Sequence, residues 1–204
     1  NYNFKTFYAS LEMSKEELMN RLCANITEID STRFKYGNIN EATLASCQTE
    51  LNRIEKSLYI REVGGQSVQK ILNAADAVRV QGRLDVIIID HIDLMPLDTK
   101  KETEASAIAK ITGALKAYAI QNNCLIICLS QFNREAKADF PQLHQLRGSG
   151  AKEQDSDVVL ILHRDLDSDS ENYRKATLRI AKNRNGQTGD IMLNFKPEIT
   201  TFYE

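Results

Sequence analysis

Val86-Ile87-Ile88-Ile89-Asp90 is an unbroken apolar run, too short for a helix and closed by a carboxylate. A strand of this kind has no polar face, so both of its faces need cover, as in a parallel sheet flanked by helices. Cys124–Leu129 repeats the pattern and ends at Ser130-Gln131. Between and around these runs lie longer stretches of helical period. That alternation predicts an α/β fold with a mostly parallel sheet.

The remaining elements follow from period and punctuation. Thr6–Ala9 is predicted as the first strand. Ser14-Lys15-Glu16-Glu17 is a capping box opening a helix with Leu18, Leu22 and Ile26 on one face. A second helix follows Asn40 and carries Leu44, Cys47, Leu51 and Ile54. Leu58–Arg61 reads as a strand, and Gly64-Gly65 breaks the chain before a helix with Val68, Ile71, Leu72 and Ala75. A long helix from about Glu102 to Gln121 presents Ile108, Ile111, Leu115 and Tyr118. Phe132–Asp157 is polar and Gly-containing, a long loop with room for one short helix. Val158–Leu162 is the next strand, and Thr177–Ala181, Asp190–Phe195 and Thr200–Tyr203 resemble short antiparallel strands. With no repeat, low-complexity tract or linker, one domain over residues 1–204 is the expectation.

Composition narrows the function classes. The chain has 204 residues, 42% hydrophobic and 26% charged, which is a globular balance. A net charge of -2 excludes a histone-like basic mode of nucleic-acid binding while leaving room for a local basic patch. Apolar runs such as Val86–Ile89 and Leu125–Leu129 fall far short of the roughly 20 residues of a membrane span. The start, Asn1-Tyr2-Asn3-Phe4-Lys5, has no signal-peptide pattern and no Met, which suggests a fragment. Cys23, Cys47, Cys124 and Cys128 show no C-x-x-C spacing, so zinc is not expected. Cys124 and Cys128 read as small buried hydrophobes, and free thiols point to a reducing, cytoplasmic setting.

The chemistry gathers at strand ends. Ligands of open α/β sheets collect there, so Asp90 is well placed to hold a metal ion, in the way nucleotide hydrolases present a Mg²⁺-binding carboxylate. The same residue is also an ordinary cap or turn former. Glu12 follows the first strand in Ser10-Leu11-Glu12-Met13. If that strand lies beside the Asp90 strand, one carboxylate can hold Mg²⁺ through water while the other polarises an attacking water. The alternative is a solvated residue ahead of the helix cap. Gln131 closes the Cys124–Ser130 run with an amide that both donates and accepts, suited to a γ-phosphate or to a loop hydrogen bond. Three strand ends bearing Glu12, Asp90 and Gln131 carry more weight together than singly.

Two basic segments stand out. Lys182 and Arg184 fall two residues apart before the turn signal Asn185-Gly186, so on an extended chain they point the same way and can embrace a phosphate. Arg147-Gly148-Ser149-Gly150-Ala151-Lys152 is glycine-rich with basic flanks, suited to following a nucleic-acid backbone. It is not a P-loop, since G-x-x-x-x-G-K-[ST] occurs nowhere in the chain. The acidic run Asp165, Asp167, Asp169 and Glu171 reads as a solvated face. His91, His144 and His163 lack metal spacing.

In order, these motifs resemble the C-terminal, RecA-like motor domain of DnaB-family replicative helicases. The resembling stretches are Ser10–Met13, Ile87–Met95, Leu129–Arg134, Leu146–Asp157 and Ala181–Gly189, spread over nearly the whole chain. The resemblance implies an ATP-dependent enzyme that translocates on single-stranded DNA and unwinds duplex. It implies a homohexamer with ATP and Mg²⁺ at subunit interfaces, and a primase and a helicase loader as partners. Residue by residue, Glu12 would activate the hydrolytic water, Asp90 would be the Walker B carboxylate holding Mg²⁺ through water, and Gln131 would sense the γ-phosphate. Arg184 would be the arginine finger with Lys182 assisting, and Arg147, Ser149 and Gly150 would face DNA. Gly148 stands where the family commonly has an acidic residue, His91 where it often has Tyr, and Gln187 where Pro is usual.

The resemblance also implies that the Walker A strand, loop and helix precede Asn1, with that strand near the middle of the sheet. The expected fold is therefore a P-loop NTPase core without its N-terminal Walker A strand and helix, leaving apolar surface exposed. The chain as given is expected to be inactive in ATP hydrolysis. A non-catalytic RecA-like assembly or interaction module, or another RecA-superfamily ATPase, is the alternative.

Overall fold

The computed structural model describes residues 4–97, 102–132, 140–145 and 149–204. In chain order the elements are β1 (Thr6–Ser10), α1 (Lys15–Thr27), α2 (Ser31–Lys35), α3 (Glu41–Ile54), β2 (Leu58–Glu62), α4 (Val68–Arg79) and β3 (Val86–Asp90). There follow α5 (Glu104–Asn122), β4 (Leu125–Cys128), α6 (Ser149–Asp155), β5 (Val158–Arg164), β6 (Lys175–Asn183), β7 (Gly189–Lys196) and β8 (Thr201–Tyr203). Two compact units emerge. One is drawn from Asn1–Lys15, Leu51–Asn133 and Leu146–Asp155, the other from Glu16–Glu50, Arg134–Gln145 and Ser156–Glu204.

The first unit holds a four-stranded sheet in the order β2-β1-β3-β4, parallel throughout. Parallel neighbours require crossovers, and α4 and α5 supply two of them. The register sets Thr6 opposite Val86 and Ser10 opposite Asp90, so β1 and β3 stop together. Phe7, Ile87 and Ile89 are fully buried, and Ile71, Leu72, Ala75, Ile111, Leu115 and Tyr118 from α4 and α5 pack into the same core. Thr103 caps α5 by accepting from the Ser106 N–H at 3.2 Å, and Asn123 ends the helix at φ 47°, a left-handed position Asn tolerates.

One expectation fails here. The sequence predicts a buried strand over Cys124–Leu129, yet Leu125 is 57% exposed, and Ile127, Cys128 and Leu129 are exposed too. The reason is position. β4 is the last strand of its sheet, and only the face bearing Cys124 and Ile126 packs against the core. An apolar run shows that a strand has two apolar faces, not that both find cover.

The second unit holds an antiparallel sheet in the order β5-β6-β7-β8. The change to antiparallel pairing thus includes β5, and β6 runs further than its predicted Thr177–Ala181. Ile161, Ala176, Phe195 and Ile199 are buried, whereas Val158, Leu160, Leu162 and Met192 are exposed. α2 has no counterpart among the predicted elements: Asp30 caps it by accepting from the Thr32 N–H at 2.8 Å. α6 is the short helix allowed for within Phe132–Asp157.

Candidate functional site

The parallel sheet brings three of the sequence-selected residues to one edge. β1, β3 and β4 are adjacent, and their carboxyl ends lead directly to Glu12, Asp90 and Gln131. This is the edge at which open α/β sheets bind ligands, because the loops leaving the strands diverge there. The condition set for Glu12, that its strand neighbour the Asp90 strand, is met by the β1–β3 pairing.

Local hydrogen bonds hold this edge. The Leu11 N–H donates to the Asp90 carbonyl at 2.7 Å, carrying the pairing one residue past β1. The Met13 N–H donates to Ser10 Oγ at 3.1 Å, and Ser10 Oγ donates to the Met13 carbonyl at 2.6 Å. That turn lifts Glu12 out of the sheet, and its side chain is 59% exposed. Asp90 accepts from Tyr8 Oη at 2.5 Å, so one carboxylate oxygen is fixed by a residue of the neighbouring strand. Among the described residues no cluster of His, Cys, Asp and Glu is arranged to hold a metal ion by itself. A single fixed carboxylate fits Mg²⁺, which takes one or two protein carboxylates and completes its shell with phosphate and water.

Behind the edge lies a buried polar cluster. His91 Nε2 stands 3.3 Å from Glu12 Oε2 and 3.1 Å from Gln131 Nε2. On the other side of the ring, Nδ1 is 3.5 Å from Asp93 Oδ2 and makes no hydrogen bond among the described residues. Asp93 Oδ2 accepts from the Gln131 N–H at 2.9 Å, and Asp93 Oδ1 accepts from Lys152 Nζ at 2.5 Å. Lys152 Nζ also donates to Ser130 Oγ at 2.8 Å. Burial opposes the charge on Asp93, but hydrogen bonds from Lys152 and the Gln131 N–H, with the Lys152 charge, hold its carboxyl below the usual carboxylate range. α6, which carries Lys152, is anchored to α5 by Thr112 Oγ1 donating to Asp155 Oδ2 at 2.5 Å.

Sequence reasoning passes over Tyr8, Asp93 and the buried role of Lys152, and treats His91 as merely following Asp90. The pairing of Asp93 with Lys152 spans 59 residues, and no local spacing announces it. The one available signal is Asp93 itself, a carboxylate in an otherwise apolar Ile92–Met95 stretch.

The remaining sequence-selected residues sit elsewhere. Lys182 pairs with Val159 near the end of β6, and Arg184 follows in the turn, in the second unit. Arg184 Nη1 donates to Asp157 Oδ1 at 2.9 Å, and its N–H donates to the Asp157 carbonyl at 2.8 Å. Both side chains of that pair are about half exposed, at 51% and 50%. Asn183 Nδ2 reaches the Gln187 carbonyl at 3.2 Å and closes the turn. Gly150 lies exposed in α6, with nothing among the described residues within 4 Å of where a side chain would project. Ser149 is the first residue of α6, and Arg147 lies outside the described residues. The four cysteines are unpaired, and no described helix is long and apolar enough to cross a membrane.

Known proteins resemble the chain over nearly its whole length. A replicative DNA helicase DnaB of Treponema pallidum (strain Nichols) is 33% identical over 198 residues, covering 97% of this chain and 44% of its own length. The replicative DNA helicase DnaB of Rickettsia typhi (strain ATCC VR-144 / Wilmington) is 32% identical over 218 residues, with 96% and 44% covered. The chain therefore spans less than half the length of these relatives. Among solved structures, a DnaB-like replicative helicase, described with its interactions with primase, superposes with a TM-score of 0.86 at 27% identity. That match covers 98% of this chain and 50% of the other. A second, described as an ATPase domain, has the same TM-score and identity and is covered over 74% of its length. Over the matched residues both neighbours share the RecA fold, the fold class that the resemblance implies. The profile of the DnaB-like helicase C terminal domain matches residues 1–204, and the chain belongs to that family.

Proposed function

We propose that the chain is part of the motor domain of an ATP-dependent replicative DNA helicase, one that translocates on single-stranded DNA and unwinds duplex. The observation that carries this reading is the placing of Glu12, Asp90 and Gln131 at the carboxyl ends of three adjacent parallel strands. A family profile running from residue 1 to residue 204 supports treating the whole chain as a single, partial motor domain.

Each residue then has a definable task. Asp90, held by Tyr8, is oriented to hold Mg²⁺ through water. Bound there, the ion would neutralise charge developing on the transferred phosphoryl group. Glu12 is the exposed carboxylate that orients and deprotonates the attacking water. Gln131, tied through its N–H to Asp93, presents its amide to the γ-phosphate. Arg184, with Lys182 assisting, would stabilise transition-state charge at the ATP of a neighbouring subunit in a homohexamer. Its half-exposed pairing with Asp157 is weak enough to be exchanged for phosphate. Arg147, Ser149 and Gly150 would contact the single-stranded DNA backbone, and a primase and a helicase loader would be partners. The free cysteines fit a cytoplasmic setting.

By the family resemblance the phosphate cradle belongs to a Walker A segment, and its G-x-x-x-x-G-K-[ST] pattern does not occur within residues 1–204. Residues 1–204 alone are therefore expected to hydrolyse no ATP above background. The test compares the intact protein with residues 1–204 on a forked duplex with ATP and Mg²⁺. The reading expects unwinding by the intact protein only. An intact protein that neither hydrolyses ATP nor unwinds DNA would replace it with the non-catalytic assembly module.

A further inference from the structure

The cluster behind the sheet edge is more than support for Asp93. Its members form one line through the first unit: Lys152 Nζ to Asp93 Oδ1 at 2.5 Å, Asp93 Oδ2 to His91 Nδ1 at 3.5 Å, and His91 Nε2 to both Glu12 and Gln131. The line starts on α6, two residues after Gly150 and three after Ser149, and ends on the proposed hydrolytic carboxylate.

The environment makes this line stiff. The Lys152, Asp93 and His91 side chains are 9%, 6% and 8% exposed. Ile92, Leu97, Ile108 and Ile111 line the hollow beside Lys152 and Asp93, with Glu104 at its margin. In surroundings of that kind an ammonium and a carboxylate stay together, because separating them leaves a buried charge uncompensated. Lys152 therefore cannot move with α6 without drawing on Asp93 and on the Gln131 N–H that Asp93 holds.

His91 converts that pull into a choice. Its Nε2 faces the Glu12 carboxylate, to which it can only donate, and the Gln131 amide nitrogen, from which it can only accept. One ring nitrogen cannot do both at once. The ring stands between Asp93 on one side and Glu12 and Gln131 on the other, so its placement decides which of those two it engages. We propose that Lys152, Asp93 and His91 form a positioning relay, through which contacts made at α6 set Gln131 and Glu12 for hydrolysis. This deepens the hydrolytic reading of Glu12 and rests on it. None of the three residues need touch the nucleotide; they act through Glu12 and Gln131.

The test uses the intact protein and measures ATP hydrolysis with saturating single-stranded DNA. Its variants are Glu12→Gln, His91→Phe, the neutral pair Asp93→Asn with Lys152→Met, and the combination of all three relay changes. The neutral pair keeps an acceptor for the Gln131 N–H and leaves no buried charge, so its melting temperature should stay near that of wild type. Nevertheless, the relay predicts that DNA-stimulated kcat falls at least about tenfold, with KM for ATP within about twofold, as expected when a reacting group is misplaced. His91→Phe should give the same fall, and the combination no further one, because the residues act in series.

A neutral pair that hydrolyses at the wild-type rate while Glu12→Gln is inert overturns the relay and leaves the hydrolytic reading standing. Glu12→Gln that remains active overturns the hydrolytic reading itself. Should the neutral pair melt early, His91→Phe decides alone, and an unchanged kcat there also overturns the relay.

Discussion

In the parallel sheet, Phe7, Ile87 and Ile89 are wholly enclosed, and Glu12, Asp90 and Gln131 gather at the carboxyl ends of three strands. In the antiparallel sheet, Val158, Leu160, Leu162 and Met192 are exposed, and the basic residues Arg179 and Lys182 lie within a strand. The first arrangement fixes side chains at an edge from behind. The second presents them on a surface and holds them through pairs such as Arg179 with Asp190 at 2.7 and 2.8 Å. The contrast shows where precision is available. Groups that must be placed to a fraction of an ångström belong on the enclosed sheet, and a group that must exchange partners belongs on the open one.

The largest effect expected from this division is functional. Arg184→Ala in the intact protein should lower ATP hydrolysis by about three orders of magnitude, the scale of a lost arginine finger. Its exposed pair with Asp157 is worth no more than about 1 kcal/mol, so stability should barely change. Parallel measurements of turnover, nucleotide binding and chemical denaturation check this. Normal hydrolysis would remove Arg184 from the mechanism.

Next comes stability within each sheet. Phe7→Ala should cost about 3–5 kcal/mol, because a fully enclosed ring leaves a cavity. Met192→Ala, on a side chain 65% exposed, should stay within about 0.5 kcal/mol. Equal losses in denaturant titrations would mean that the antiparallel sheet is covered in the intact protein.

Asp93→Asn probes the enclosed edge more finely. The variant removes the carboxylate that faces the buried Lys152 charge and should cost about 3 kcal/mol near neutral pH. The folded-state pKa of Asp93 lies below its unfolded value, so its stabilising contribution is present above about pH 4 and is lost as pH falls through the folded-state value. The gap between wild type and Asp93→Asn should therefore narrow below about pH 4, which denaturation at several pH values would reveal.

The smallest effect concerns Gly150. Nothing among the described residues lies within 4 Å of where its side chain would project, so Gly150→Ala should leave the fold intact and raise helix stability by at most about 1 kcal/mol. If DNA backbone approaches there, binding of single-stranded DNA should still weaken severalfold. Unchanged affinity in a titration would remove Gly150 from the proposed contact.

Much of the parallel unit is legible in the sequence because its signals are local. Val86–Asp90 announces an enclosed strand, and the helical spacing of Ile108, Ile111, Leu115 and Tyr118 marks the side that α5 buries. The strand-end placement of Glu12, Asp90 and Gln131 follows once the strands are recognised, since parallel strands share their carboxyl edge. What stays hidden depends on distance along the chain. The exposure of β4 follows from its place at the end of the sheet, which the composition of Leu125–Leu129 does not encode. The Lys152–Asp93 pair and the Tyr8 bond to Asp90, 82 residues apart, arise only when separate segments meet. α2 escapes notice because its five residues carry little apolar period, and its Asp30 cap is its one local mark.

Three adjacent strand ends forming a hydrolytic site, with Glu12 as the group that activates water, is the assignment on which the other roles depend. It is decided by ATP binding and single-turnover hydrolysis in the intact protein carrying Glu12→Gln. A general base at Glu12 predicts nucleotide affinity within about threefold of wild type and a hydrolysis rate lowered at least about a hundredfold. A hydrolysis rate within about threefold of wild type would contradict it.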